Sequence, residues 1–172
     1  MRLQIIGSSS AVPRPNRANS CYLIESEETA IALDCGSGAF SRLRAATDIA
    51  KLRAIFISHM HADHFIDLIP LRYGLKYEFK RSEPLCVYLH EGGRDELNRV
   101  VAPFADDASF FEEVMEFHTY RPDAPVELDS LTVRFARTRH YIEAYAMRVE
   151  SGTTAMTYSA DTAPDESVVD LA

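Results

Sequence analysis

The feature that most constrains this chain is the run Ser58-His59-Met60-His61-Ala62-Asp63-His64, which gathers three of the six histidines and an aspartate into six consecutive positions. It follows the apolar run Leu52, Ala54, Ile55, Phe56, Ile57 and precedes a segment whose apolar residues return at helical spacing, so it belongs on the loop leaving a buried strand. An α/β sheet exposes its reactive side chains at that point. On an extended segment side chains alternate faces, so His59, His61 and Asp63 point one way, and His64 joins them only if the chain turns there. Neutral imidazoles with a carboxylate suit Zn²⁺, with Mn²⁺ or Fe²⁺ as alternatives, and the run holds no thiolate that would favour a closed structural site. It reads as an open metal site that two ions could share.

The rest of the chain is read for what it adds. Its 172 residues suit one domain with a sizeable core, spanning 1–172. Met1 to Ile6 alternates like a strand, with no basic region and apolar stretch of the signal-peptide type, and no segment approaches membrane-spanning length, so a cytoplasmic protein without membrane contact is expected. Cys21, Cys35 and Cys86 are odd in number and set in apolar contexts, which predicts buried free thiols rather than disulfides. A net charge of −8 argues against an extended nucleic-acid-binding surface. It leaves room for a small phosphodiester, because bound divalent ions and a few arginines can make one cleft positive.

Along the chain, residues 7–20 form a Gly-Ser-rich loop too long for a tight hairpin, with Arg14 and Arg17 as either substrate contacts or solvated charges. Cys21–Glu25 and Thr29–Leu33 predict a hairpin around Ser26-Glu27-Glu28. Asp34 leaves that second strand just before Gly36 and Gly38; a buried carboxylate there needs donors from backbone or histidine, and a plain helix cap fits equally well. A helix is expected from Gly38 to Ala46 with Phe40 and Leu43 inward, a strand over Ala54–Ile57, and a helix beyond Phe65 carrying Pro70 in its first turns. Asp67 on it either orients an imidazole or, the favoured reading, is a first-turn acid of its own helix. A strand over Leu85–Leu89 precedes an amphipathic helix with Leu97, Val100, Val101 and Phe104 on one face. Strands then follow over Val114–Tyr120, Val126–Leu128, Leu131–Ala136, Ala144–Val149 and Ala155–Tyr158. His90 and His118 have no ligand spacing around them and read as structural or surface histidines.

The H-x-H-x-D-H run resembles the signature of the metallo-β-lactamase superfamily, and the Gly-Ser-rich loop after the first strand resembles that of its small ribonuclease-Z-like branch. The resemblance implies an α/β protein of the αββα sandwich type, mostly seen as two-metal hydrolases, with the site between the edges of two sheets. Asp34 matches the first motif of the family, where a carboxylate supports the metal loop from behind. His140, after the strand ending at Ala136, and Asp161, after the strand ending at Tyr158, each resemble a further motif. The implied arrangement gives one divalent ion His59, His61, His140 and a share of Asp161, and the other Asp63, His64 and the second oxygen of Asp161. Two ions of this kind bridge and acidify a water, supplying hydroxide near neutral pH, with Asp63 and Asp161 as the catalytic carboxylates.

Two departures shape the expectation. Family members carry a final histidine well beyond the bridging aspartate, whereas eleven residues follow Asp161 here. The segment Asp165 to Ala172 reads as the opening of a helix, so a C-terminal portion of several tens of residues is expected to be missing, or supplied by a partner chain; a homodimer is compatible with this. Twenty residues separate His140 from Asp161, too few for the transfer-RNA-gripping arm of ribonuclease Z enzymes. The expected activity is therefore hydrolysis of a small phosphodiester such as a cyclic nucleotide, with Arg137, Arg139 and Arg14 as candidate contacts to the nucleotide-like substrate. Carboxylic ester, thioester or lactone hydrolysis is the alternative within enzymes, and a non-catalytic metal-binding scaffold the alternative of another class. A diiron oxidoreductase is disfavoured, since it would carry glutamate where His61 stands.

Overall fold

The computed structural model describes residues 1–27, 29–105 and 109–172. Its first strand, β1 (Arg2–Ser9), runs further than the alternating pattern suggests, into the Gly-Ser segment, because the long loop folds back and lays β2 (Ala18–Asn19) parallel against it. The hairpin of β3 (Cys21–Glu25) and β4 (Ala30–Leu33) is antiparallel, as the sequence predicts, although Glu28 in its turn lies outside the described residues. Helix α1 (Ala39–Ala46) buries Phe40 and Leu43, and a single 3₁₀ turn (Ile49–Lys51) leads into β5 (Leu52–Phe56). After the histidine loop come the one-turn helix α2 (Ala62–Phe65) and α3 (Leu68–Tyr77), which holds Pro70 at its third position, where no intrahelical donor is lost. Strand β6 (Leu85–Leu89), helix α4 (Gly93–Val101) and strand β7 (Met115–Thr119) complete the first half.

These strands form a seven-stranded sheet in the order β2-β1-β3-β4-β5-β6-β7, parallel from β4 to β7. A second sheet of four antiparallel strands follows in the order β11-β10-β9-β8, from β8 (Val126–Leu128), β9 (Leu131–Arg137), β10 (Tyr145–Ser151) and β11 (Thr154–Tyr158). From Ala54 to Phe56 the strand β5 is buried on both faces, which is why its sequence there is an unbroken apolar run rather than an alternating one. On one face Ile55 joins Leu43, Leu68, Leu71 and Leu97 from the helices. On the other, Phe56 joins Ile31, Val133, Phe135 and Met147, filling the space between the sheets. Helix α5 (Glu166–Leu171) packs on β9 and β10, with Arg148 Nη1 donating to the Leu171 carbonyl, so the layers run helix, sheet, sheet, helix. This is the αββα architecture that the resemblance to the metallo-β-lactamase superfamily implies.

One helix face departs from its periodicity. Helix α4 ends at Val101, and Val100 and Phe104 are 39% and 51% exposed, so Leu97 and Val101 alone of the expected quartet are buried. Pro103 cannot donate to a further helical turn, and the chain turns away before Phe104 returns to the core side. Among the described residues no helix is long and apolar enough to cross a membrane.

Candidate metal centre

The buried strand β5 delivers Ile57, Ser58 and His59 to its C-terminal end, and two neighbours pin the loop there. Tyr120 donates its hydroxyl hydrogen to the Ile57 carbonyl at 2.8 Å, and the Tyr145 amide donates to the Ser58 carbonyl at 3.1 Å. His59 is therefore fixed between the edges of both sheets and is fully buried. His61 is still extended (φ −80°, ψ 142°), so the predicted alternation holds for His59 and His61. It ends at Ala62, where α2 begins: Asp63 and His64 reach the site from a helical turn, closed by the His64 amide on the His61 carbonyl at 2.9 Å.

From the far side β9 ends next to Thr138-Arg139-His140, and β11 ends next to Ser159-Ala160-Asp161. Thr138 donates its hydroxyl to the Asp161 carbonyl at 2.9 Å, tying the two strand ends together. Ala160 is held at φ 51°, a left-handed conformation costly for a residue with a Cβ, and it turns the chain so that Asp161 faces the histidines.

The ligand atoms of His59, His61, His140 and Asp161 all lie within 4.8 Å of one another. His59 Nε2 is 3.0 Å from His61 Nδ1, which is 3.2 Å from His140 Nε2. Imidazole nitrogens arranged tetrahedrally about a zinc ion at about 2.0–2.1 Å would stand roughly 3.3 Å apart, so the donor set fits a divalent ion. A second donor set lies alongside. His64 Nε2 is 3.5 Å from Asp63 Oδ2 and 3.7 Å from Asp161 Oδ1, while Asp161 Oδ2 is 3.9 Å from His59 Nε2. Asp161 thus turns one oxygen to each group.

The supporting bonds fix which nitrogens face inward. Buried Asp34 accepts from the Ser58 amide at 2.7 Å, the Ser58 hydroxyl at 2.9 Å, the Tyr158 hydroxyl at 2.6 Å and His64 Nδ1 at 2.6 Å. With its hydrogen given to Asp34, Ser58 Oγ accepts from His59 Nδ1 at 3.0 Å. Both histidines are then protonated at Nδ1 and present the Nε2 lone pair to the site. Of the two readings of Asp34, the structure shows the support of the histidine loop: the capping residue of α1 (Ala39–Ala46) is Gly38, and the Asp34 carboxylate accepts from Ser58, His64 and Tyr158.

Electrostatics follow from burial and neighbours. Burial first, then His64, His61 and His140, push the His59 pKa down to about 2, so this imidazole is a neutral ligand throughout the working range of a protein. Burial and His140 also lower that of His61. Burial pulls His64 down as well, but the hydrogen bond and charge of Asp34, with Asp63 and Asp161, outweigh it and raise its pKa.

A cleft of about 420 Å³ opens over these residues, bordered by Ser10 and Ala11 from the first loop and by Tyr141. Tyr141 is 82% exposed and lies against the rings of His61 and His140, with centroids at 4.9 and 4.5 Å. Sequence reasoning missed it, along with Ser58 and Tyr158, although each adjoins or nearly adjoins a residue singled out. Arg139 borders the adjoining cleft with His140 and Asp161. Arg14 and Arg137 are exposed and are not among the residues lining either cleft. Asp67 contacts none of the histidines; its Oδ2 accepts from the Phe40 amide at 2.9 Å, so it caps α1 rather than serving its own helix, which corrects the favoured reading.

The comparisons with known proteins agree with this geometry. The family model described as Anti-Pycsar protein Apyc1 matches residues 1–172. A probable metallo-hydrolase of Bacillus subtilis, YhfI, is 30% identical over 98% of the chain and 67% of its own length. Its crystal structure, described as a metallo-beta-lactamase fold protein, superposes with a TM-score of 0.79 at 28% identity, covering 92% of this chain and 62% of that one. Ribonuclease Z of Methanosarcina acetivorans is 30% identical over 81% of the chain and 45% of its own length. Human tRNase Z, short form, superposes with a TM-score of 0.78 over 98% of this chain and 73% of that one; at 21% identity it speaks for the fold alone. The chain thus spans between 45% and 73% of the length of these relatives. By a family match along its whole length, it belongs to the Anti-Pycsar Apyc1 family, within the ribonuclease-Z-like branch of the metallo-β-lactamase fold.

Proposed function

We propose that the protein is a metal-dependent hydrolase acting on a small phosphodiester, with a cyclic nucleotide as the substrate class. The observation that carries the reading is the placement of Asp161, whose oxygens face two adjacent donor groups, His59-His61-His140 and Asp63-His64. Two divalent ions in such a site, zinc being the best match to these donors, would acidify a water and polarise the scissile group. The chain's own residues do the rest. Asp34 holds the His64 ring through Nδ1, so that its Nε2 cannot turn away. Ser58 does the same for His59. Arg139, next to His140, presents a guanidinium at the cleft rim, where a planar fork suits a phosphate. Tyr141 offers an exposed ring beside the histidines on which a base can stack. A ribonuclease among the relatives supports phosphodiester chemistry over carboxylic esters.

The test is turnover of bis-(p-nitrophenyl) phosphate and of cyclic mononucleotides by the zinc-loaded protein, compared with His61→Ala. Hydrolysis that disappears in the variant supports the proposal. Zinc-dependent cleavage of lactones, thioesters or carboxylic esters without phosphodiester cleavage would replace it with the alternative hydrolase reading. Full metal loading with no turnover of any of these would favour a binding role.

A further inference from the structure

A second set of metal-ligating side chains lies away from the histidine loop, at the far edge of the large sheet. Strands β6 and β7 pair in parallel, with Cys86 opposite Glu116 and Tyr88 opposite His118. Residues two apart on a strand share a face, so Glu116 and His118 project to the same side as their neighbours Cys86 and Tyr88. The Sγ of Cys86, a carboxylate oxygen of Glu116 and a ring nitrogen of His118 all lie within 4.8 Å of one another, and His118 Nε2 is 3.4 Å from Glu116 Oε1. We propose that Cys86, Glu116 and His118 form a binding site for a single zinc-like transition-metal ion, separate from the candidate catalytic centre.

Three features support this site. The donor set is chemically selective: thiolate, imidazole and carboxylate together favour Zn²⁺ or Co²⁺ over the oxygen-seeking Mg²⁺ and Ca²⁺. Ligands around one such ion, at about 2.0–2.3 Å from it, stand roughly 3.5 Å apart, so closing the trio needs only small side-chain rotations. The His118 ring is also already held. It stacks on Tyr88 with centroids 4.9 Å apart, and Tyr88 stacks on Phe56 at 4.5 Å, so an aromatic column running out from the core fixes the imidazole plane.

Burial is graded across the trio in a way that suits an ion open on one side. The Cys86 side chain sits in the layer between the sheets, His118 is 35% exposed and Glu116 is 60% exposed. Water can complete the coordination from the solvent side. A thiolate and a carboxylate bring two negative charges to a divalent ion. The sulfur's present partner, Arg53 Nη1 at 3.5 Å, is on an exposed residue that can swing into water. The sequence offers no hint of the site, because its ligands come from two strands joined by a long crossover and no short spacing links them.

The experiment is a Co²⁺ titration of the whole chain under reducing conditions, read by the near-ultraviolet sulfur-to-cobalt charge-transfer band. The candidate catalytic centre has no sulfur ligand, and Cys21 and Cys35 are fully buried in the core, so the loss of the band in Cys86→Ala assigns it to this trio. A band that is lost in Cys86→Ala, kept in His61→Ala, and shifted at least roughly tenfold to weaker affinity in His118→Ala and Glu116→Gln is expected. Even partners outside the ligand shell cost roughly 10–100-fold in affinity, so a true ligand costs no less. Absence of the band at saturating Co²⁺, its survival in Cys86→Ala, or indifference to His118→Ala would overturn the proposal. His118 lies at the sheet edge, so its variant serves if Cys86→Ala fails to fold. Loss of phosphodiesterase activity in His61→Ala leaves this band untouched, so the two proposals fail separately.

Discussion

Gly36 lies directly against the backbone of Asp63: a Cβ built on it would stand 1.9 Å from the Asp63 carbonyl oxygen and 2.7 Å from its carbon. No side chain can enter without moving the segment after β4 off the helical turn α2. The adjoining Cys35 amide donates to the His64 carbonyl at 2.7 Å, so the segment after β4 and the loop carrying Asp63 and His64 are locked backbone to backbone. Gly36→Ala is expected to destabilise the fold by about 1–3 kcal/mol, as overpacking does. It also displaces Asp63 and His64, so zinc affinity falls with it. Urea unfolding and calorimetric zinc titration check both effects, and an unchanged zinc affinity would show that the contact relaxes elsewhere.

Asp34 provides the second lock, and its variants separate support from folding. The carboxylate takes four donors while its backbone sits at φ 61°, a region that Asp and Asn tolerate better than Ala. Asp34→Ala leaves buried donors unpaired and costs about 3 kcal/mol or more. Asp34→Asn keeps the backbone and size but can turn an amide N–H toward His64 Nδ1. Its stability loss is expected to be the smaller one, with zinc affinity down roughly 10–100-fold, the usual cost of losing a ligand's orienting partner. If zinc affinity tracks stability equally in both variants, Asp34 merely holds the fold.

What the sequence shows of this architecture depends on whether a signal is local. The histidine loop, the β3–β4 hairpin and the strands of the second sheet are written in short periods and turn residues, and the structure places them where those periods predict. His140 and Asp161 could be named because each follows a strand end and resembles a superfamily motif in the order expected after the histidine run, although only the tertiary fold brings His140 to His61, 79 positions away. Tyr158, Tyr141 and Ser58 had no such mark; their roles depend on which strand lies over which. Asp67 misled for a related reason. A carboxylate at a helix start ordinarily serves that helix, but here the capping residue of α1 is Gly38, which has no side chain, and Asp67 fills the need from across the loop.

That cross-capping makes Asp67 testable. Replacing it with Ala removes the side-chain acceptor from the first turn of α1 and should cost about 1 kcal/mol, the usual value of a cap. Burial raises the carboxyl pKa of Asp67 above its ordinary 3.8, and hydrogen bonds from the Phe40, Gly38 and Ala39 amides only partly reverse this. A carboxyl whose folded pKa is raised binds its proton more tightly when folded, so its charge opposes folding as pH rises from 3.8 through the folded pKa. Relative to Asp67→Asn, the wild type should therefore lose stability across that window and then level off. Thermal unfolding of the two proteins from acid to neutral pH measures this, and parallel curves would refute it.

The last prediction concerns the ions themselves. At the centre, His59, His61 and His140 turn nitrogens toward one another at 3.0 and 3.2 Å, and burial first, then the neighbouring histidines, keep His59 neutral, so that its Nε2 can donate an electron pair to a cation. A cation bound by the folded chain but not by the unfolded one adds stability by mass action. At free zinc about one hundred times its dissociation constant, one site adds about 2.7 kcal/mol. Adding zinc to chelator-treated protein is expected to raise the unfolding midpoint, and chelator to lower it again. The Cys86→Ala variant, which lacks the proposed edge site, should retain most of the increase. In His59→Ala the gain from the histidine centre should vanish, and the apo form of that variant should also be less stable than the wild type, because a fully buried ring and its hydrogen bond to Ser58 Oγ are lost. An equal zinc-induced gain in His59→Ala and in the wild type would mean that the ion stabilises the protein from somewhere other than this centre.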